Sequence, residues 1–448
     1  MCTEAMIELD VVPPADASRR RPPAQRYRLT GLMLVTVLVL ALAGAAPAAS
    51  VLWRRAGLVP AAGSDVVYEV DGDRVYVATP DGEVWSTSAY ALRPFRRLWT
   101  VSSAGRADVP ADLSPAGERV LLHLGQSTTV IDARDGVVRW VSPTPVQVLA
   151  GGRTGLVQEE QFRPGSEYDE SSGDPGPLYF SSTGVPHTRP PERTVVRGVD
   201  LATGRPLWST EAAGSVFAAP ATAAPATMVV VSTDRMQLRD AGTGALLRDR
   251  RLPRIAGAAD AFSEVVGDLV TLRHSSADGD TVAAYGLDDL EPRWQRTQVA
   301  AAAGNTRVCR GVPCEQTPSA LDVLDPQTGV VRWRTDGTVD VVSRGPYALE
   351  VDASGADPRP VRTVQPATGV TGADLRDWQA FARGPAGAPL VLIRAGGGGG
   401  TVFGLLSPGL QVVRMLGHSA LAFSGCRADD RLVACRGEAG IQVWSYRA

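Results

Sequence analysis

Asp325-Pro-Gln-Thr-Gly-Val-Val-Arg-Trp333 is an acidic residue, two variable positions, Thr-Gly, three further residues and a tryptophan. The same phrase stands at Asp200-Leu-Ala-Thr-Gly-Arg-Pro-Leu-Trp208, and again at Asp132 to Trp140 with Asp135 in the threonine slot. Asp240-Ala-Gly-Thr-Gly244 and Gln365-Pro-Ala-Thr-Gly369 keep the turn and lack the tryptophan. More degenerate copies are Leu287 to Trp294, Leu92-Arg-Pro-Phe95 before Trp99, and Pro408-Gly409. Taking the tryptophan slot as the marker gives positions 99, 140, 208, 248, 294, 333, 373 and 413. The intervals are 41, 68, 40, 46, 39, 40 and 40 residues, and the one far from the rest contains an insertion. A unit of about 40 residues is the size of a four-stranded propeller blade.

The chemistry of the phrase fits strands joined by tight turns. The aspartate carboxylate accepts backbone amides of the turn, and glycine supplies the positive φ required before the next strand. Short β-branched runs flank the phrases, among them Met228-Val-Val-Val-Ser232 and Leu390-Val-Leu-Ile-Arg394. Such runs are too short for ordinary helices. Five of the nine tryptophans occupy the marker slot, so their use is packing between sheets and not stacking on a cofactor. Forty-seven glycines and 33 prolines, against 6% aromatic residues, agree with one long turn-rich all-β domain.

The phrases resemble the tryptophan-docking repeats of pyrroloquinoline-quinone-type propellers. That superfamily includes the quinoprotein alcohol dehydrogenases and the propeller lipoprotein of the outer-membrane assembly machinery. The resemblance covers residues 66–448 and is strongest at 194–208 and 318–334. It implies an all-β propeller of four-stranded blades. Eight marker slots predict eight blades, with seven and nine as alternatives. Strand-like segments at 420–424, 431–436 and 441–446 remain for ring closure, with Val66-Val-Tyr-Glu-Val70 as the candidate partner. The resemblance is also to single-anchor, extracytoplasmic proteins of GC-rich Gram-positive bacteria, and the absence of lysine in the chain suits a GC-rich genome.

Residues Leu29–Trp53 carry no charge. At 1.5 Å per residue they are long enough to cross a hydrocarbon core of about 30 Å. Arg19, Arg20, Arg21, Arg26 and Arg28 precede them and only Arg54 and Arg55 follow closely. The positive-inside rule then predicts a cytoplasmic leader at 1–28, a transmembrane anchor at 29–53, a linker at 54–65 and an extracytoplasmic propeller at 66–448. The alternative is a signal peptide cleaved near Ala46-Pro-Ala48, with a secreted product. Beyond Cys2, the cysteines fall as two close pairs. They predict hairpin disulfides Cys309–Cys314 and Cys426–Cys435, as an oxidising compartment permits. The spacings are too loose and irregular for a four-thiolate zinc site.

Catalytic patterns fail one by one. Quinoprotein enzymes use two adjacent cysteines, a calcium held by carboxylate and amide side chains, and an aspartate base. This chain has no Cys-Cys dipeptide, and Asn305 is its only asparagine. His123, His187, His274 and His418 form no ligand or triad spacing, and Gly396–Gly400 has no lysine of a phosphate loop after it. It reads as a hairpin tip. The insertion at about 158–193 is acidic and proline-rich, a solvated loop or a partner-binding one. Its Asp169-Glu-Ser-Ser-Gly-Asp174 lacks the twelve-residue calcium pattern. No catalytic, cofactor-binding or metal residue is therefore assigned, and no cofactor is expected. A net charge of −3 gives no reason to expect nucleic acid. The expected function is a non-enzymatic, membrane-tethered scaffold that binds an envelope protein or cell-surface ligand. The competing expectation is a quinone- or metal-dependent oxidoreductase, or a ligand sensor, working through the central channel.

Overall fold

In the computed structural model every regular copy of the phrase forms the turn that leads into the outermost strand of a blade. At Asp325 the carboxylate accepts the amides of Gln327 and Thr328, both at 2.8 Å, and the Gly329 amide returns to the Asp325 carbonyl at 2.8 Å. Gly329 has φ 67°. In the degenerate copy Leu290 takes the same place with φ 59°, bonded to the Gly286 carbonyl at 2.9 Å. Its side chain is fully buried in the core, which offsets the left-handed backbone.

The structure describes residues 53–446 apart from 62, 64, 106–107, 150, 222–226, 254–260, 277–278, 299–308, 318, 356–357, 386 and 407–411. The chain divides into two units, Met1–Ser50 and Val51–Ala448. The leader and the apolar segment up to Leu52 lie outside the described residues. Among the described residues no helix is long and apolar enough to cross a membrane.

Among the described residues the second unit forms nine blade sheets of a propeller, antiparallel apart from one two-residue parallel pairing. The first blade runs outward from the axis as Val67–Asp71, Arg74–Asp81, Val84–Leu92 and Phe95–Ala104. The second starts at Ala111–Ala116, the third at Val146–Val148, the fourth at Phe217–Pro220 and the fifth at Ala261–Val266. The sixth shows three strands, Cys314–Gln316, Ala320–Leu324 and Val331–Asp336. The seventh starts at Val339–Ser343 and the eighth at Ala380–Phe381. The ninth takes Ser424–Ala428, Leu432–Gly437 and Gly440–Tyr446 from the C-terminus and Trp53–Val59 from the N-terminus as its outer strand.

Nine blades, not eight, follow from that closure. The marker phrase is a turn between third and fourth strands, and the ninth blade has none because its fourth strand comes from the other end of the chain. The candidate partner Val66–Val70 instead falls in the inner strand of the first blade. Trp53 and residues 54–59, read as the end of the anchor and part of a linker, are this closing strand. Trp53 pairs with Tyr446, stacks on Trp444 at 5.3 Å and meets Phe403 of the eighth blade at 4.8 Å. An aromatic at the end of an apolar run suits a sheet interior as well as a bilayer.

Neighbouring blades are joined by the tryptophans. Trp99, Trp140, Trp208, Trp294 and Trp333 each lie over the turn glycine of the following blade: Gly136, Gly204, Gly244, Gly329 and Gly369. Each indole N–H donates to the carbonyl one residue after the acidic slot: Ala133, Leu201, Ala241, Pro326 and Pro366, at 2.9–3.1 Å. The hydrophobic clusters accordingly form between sheets. Tyr76 and Trp99 of the first blade pack on Leu113, Val120 and Ile131 of the second. A Cβ at Gly329 would stand 2.7 Å from the Trp294 ring, whereas Gly82, φ 63°, has open space around it. Gly82→Ala is expected to cost about 1–2 kcal/mol for the left-handed backbone alone. Gly329→Ala adds about 1–3 kcal/mol for displacing the indole. Urea melts of the two variants measure the difference.

Both disulfides form, Cys309–Cys314 with Cα atoms 6.2 Å apart and Cys426–Cys435 at 4.1 Å. The second crosses adjacent strands of the ninth blade, as expected. The first is not a bridge across a simple hairpin. Cys309–Arg310 runs parallel to Val339–Ser343 of the seventh blade, while Cys314 belongs to the sixth, so this bond fastens two sheets.

Two turn carboxylates contribute to the acid sensitivity of the ring. The Thr243 hydroxyl and amide hold the Asp240 carboxyl below the usual range, helped by the Gly242 amide. At Asp325 burial works the other way, but the Thr328 amide, Arg332 and the Gln327 amide outweigh it, and the carboxyl is again lowered. A carboxyl depressed by folding contributes stability above its unfolded value of about 3.9, lost as pH falls through the lower folded value. Thermal melts are expected to be flat above about pH 5 and to fall below about pH 4. Asp325→Asn is expected to weaken that fall; an unchanged pH profile contradicts the assignment.

Candidate functional site

The strands alternate in direction, so turns between second and third strands share one face of the ring with the blade-to-blade connections. The marker turns occupy the other face. The loop face carries the insertion, Gly396–Gly400 and the mouth of the channel.

The insertion joins Thr154–Gln161 to Arg193–Asp200, adjacent strands of the third blade, and so spans 162–192. It is a built element, not a simple solvated loop. Tyr179–Phe180 and Pro186–His187 form a small hairpin. The buried His187 ring stacks on Phe162 at 3.7 Å between centroids. Ser166 Oγ donates to the Arg163 carbonyl at 2.8 Å and lies 3.0 Å from His187 Nδ1. The serine thus bridges the Arg163 carbonyl and the imidazole and holds the ring in place. The Glu160 carboxylate accepts the Ser182 amide at 2.8 Å, and Arg163 pairs with Glu192 at 2.8 Å. Two carboxylates of the acidic run close turns: Asp169 accepts the Ser171 amide and Asp174 the Gly176 amide. Gly184 lies beside Gln126 of the second blade, so the insertion leans over its neighbour. Phe180 is 62% exposed.

The other candidate is a cavity of about 670 Å³ at the channel mouth, where the inner strands of blades eight, nine, one and two begin. Asp65, Asp112, Arg383, Arg427, Phe381 and Phe423 are in its wall. Arg427 Nε donates to Glu69 at 2.7 Å, and its guanidinium lies 5.8 Å from the Tyr68 ring centre. Burial pushes the Glu69 carboxyl up, against the pull of Arg427; Asp112 adds to the rise and Arg383 opposes it. Burial likewise pushes Tyr68 up to about 12, and its hydroxyl donates to the Gly425 carbonyl at 2.5 Å. Arg436 donates to the Val66 carbonyl. Cys426 is in this wall as well, committed to Cys435.

The four histidines are not brought together. His123 is in the second blade beside Thr128, His187 in the insertion, His274 in the fifth blade and His418 in the eighth. Gly396–Gly400 is the tip of a hairpin between Leu390–Ala395 and Thr401–Leu406. Among the described residues no group of three or more His, Cys, Asp or Glu is placed to hold a metal ion. The cavity charges escape sequence reading because they come from four blades, at 69, 112, 383 and 427, with no local motif.

Residues 192–322 match the family model described as outer membrane protein assembly factor BamB. That stretch runs from the third blade into the sixth and contains the Asp200–Trp208 phrase, which supports the pyrroloquinoline-quinone-like propeller class. No curated protein matches the chain. Similar solved structures include BamB from Moraxella catarrhalis, 13% identical, covering 88% of this chain and 98% of that one, with a TM-score of 0.38. A eukaryotic initiation factor is 11% identical over 84% and 94%, TM-score 0.49. A europium-containing methanol dehydrogenase is 11% identical over 88% and 93%, TM-score 0.36.

Proposed function

We propose that this chain is a membrane-tethered, extracytoplasmic β-propeller that serves as a non-enzymatic scaffold, docking another envelope protein on its loop face. The observation that carries the reading is the insertion: a foot of buried His187 and Ser166 with half-buried Phe162 supports a hairpin that holds Phe180 in solvent. A folded element presenting a large aromatic is a typical interface anchor. Two disulfides suit an oxidising compartment, and the uncharged residues 29–52 remain long enough to span a bilayer. The matching family's description, an assembly factor of the outer membrane, points the same way.

The test replaces 162–192 by a Gly-Asn-Gly turn in the full chain. Its ends are neighbouring antiparallel strands, so the ring is expected to keep its stability within about 1 kcal/mol, because closure entropy varies slowly with loop length. Crosslinking on intact membranes is expected to recover a discrete partner with the parent chain and none with the shortened one. Loss of the fold contradicts the insertion's independence. Capture of the same partner by both chains contradicts its role.

A further inference from the structure

We infer that the channel-mouth cavity binds a small zwitterion, an amino acid or the end of a short peptide, with its carboxylate on Arg383 and its ammonium group on Asp112. The inference does not rest on the scaffold reading. The cavity's other arginines are occupied: Arg427 by Glu69 and Arg436 by the Val66 carbonyl. The Arg383 guanidinium makes no hydrogen bond or ion pair among the described residues, although its backbone is firmly held. The Arg383 amide donates to the Cys426 carbonyl at 3.0 Å, and its carbonyl accepts the Ala428 amide at 2.8 Å, a bridge between inner strands of blades eight and nine. The Arg344 guanidinium of the seventh blade adds a bond to the Gly384 carbonyl at 3.1 Å. A side chain at Gly384 would collide with the Ala428 carbonyl, so the approach of the two strands requires glycine there.

Asp112 is also in the wall, three blades round the ring on the inner strand of the second blade, paired across strands with His123; it is exposed and makes no side-chain hydrogen bond among the described residues. Both charges act on Glu69, Asp112 raising its carboxyl and Arg383 lowering it. A simple anion suits Arg383 and not Asp112; a simple cation suits the reverse. A ligand with both charges satisfies both residues, and Phe381, Phe423 and Ile393 supply apolar surface for its side chain. The volume of about 670 Å³ is within the range of small-molecule sites.

Calorimetric titration of the detergent-solubilised full chain tests this with glycyl-phenylalanine, its N-acetyl form and its C-terminal amide. The free dipeptide is expected to bind, and each blocked form to bind at least about tenfold more weakly, as loss of one charge-assisted contact requires. Asp112→Asn is expected to weaken the free dipeptide about tenfold and to leave the N-acetyl form unchanged, because that form has no ammonium group. Arg383→Gln is expected to weaken the dipeptide and spare the amide. No binding of any of the three overturns the proposal, and so does equal binding of all three. Asp112 is exposed, so its variant stays informative if Arg383→Gln fails to fold.

Discussion

A chain beginning at Ala61 is expected to lose most of its stability relative to one beginning at Ala49, although both keep every marker phrase. The twelve residues between include Trp53–Val59, the fourth strand of the ninth blade. Without it Tyr446 to Ile441 face solvent as an open edge, the Gln442 side chain loses the Gly57 carbonyl at 2.8 Å, and Trp444 and Phe403 lose the Trp53 ring. Removing a packed tryptophan costs about 3–5 kcal/mol. Exposing the contacts of Val59, which is 1% accessible, adds about 2 kcal/mol. The sum is comparable with the whole stability of an ordinary domain, about 5–15 kcal/mol. An exposed, apolar-flanked strand edge also invites association between chains. Circular dichroism melts with size-exclusion chromatography check this. Coincident melts of two monomeric chains would mean that the ring closes without the N-terminal strand.

Trp208→Ala is the second large effect. The indole is 9% accessible, lies over Gly244 of the fourth blade and donates to the Ala241 carbonyl at 3.1 Å. Truncation leaves a cavity between two sheets and an unpaired carbonyl, and is expected to cost about 3–5 kcal/mol. Leu246→Ala, on the outer strand of the fourth blade where the side chain is 49% exposed, is expected to stay within about 0.5 kcal/mol. Denaturant titrations at constant m compare them. Equal losses would remove the indole as the link between blades.

The local part of this architecture is legible because the phrase states it completely. Asp325, Thr328, Gly329 and Trp333 carry the turn, its backbone and the inter-sheet contact within nine residues. Blade number is less legible, since the closing blade is made from segments some 360 residues apart and has no phrase of its own. Trp53 was ambiguous for a physical reason: an apolar run ending in an aromatic satisfies a bilayer and a sheet interior alike. The cysteine pairs were legible by proximity, but the sheet that Cys309 joins depends on a parallel pairing that spacing does not encode. The insertion's composition suggested a solvated loop, because the His187 foot that orders it is built from residues at 162, 166 and 187 with no periodicity. The channel-mouth charges are separated still further and left no trace in any motif.

The most direct test of the scaffold reading places a photo-crosslinking amino acid at either of two exposed positions in the full chain, in native membranes. Phe180 is on the insertion at the loop face; Val330, 62% exposed, is on a marker turn at the opposite face. The scaffold reading predicts one discrete crosslinked protein from position 180 and none from position 330. No adduct from position 180, or the same adducts from both positions, would contradict docking on the loop face.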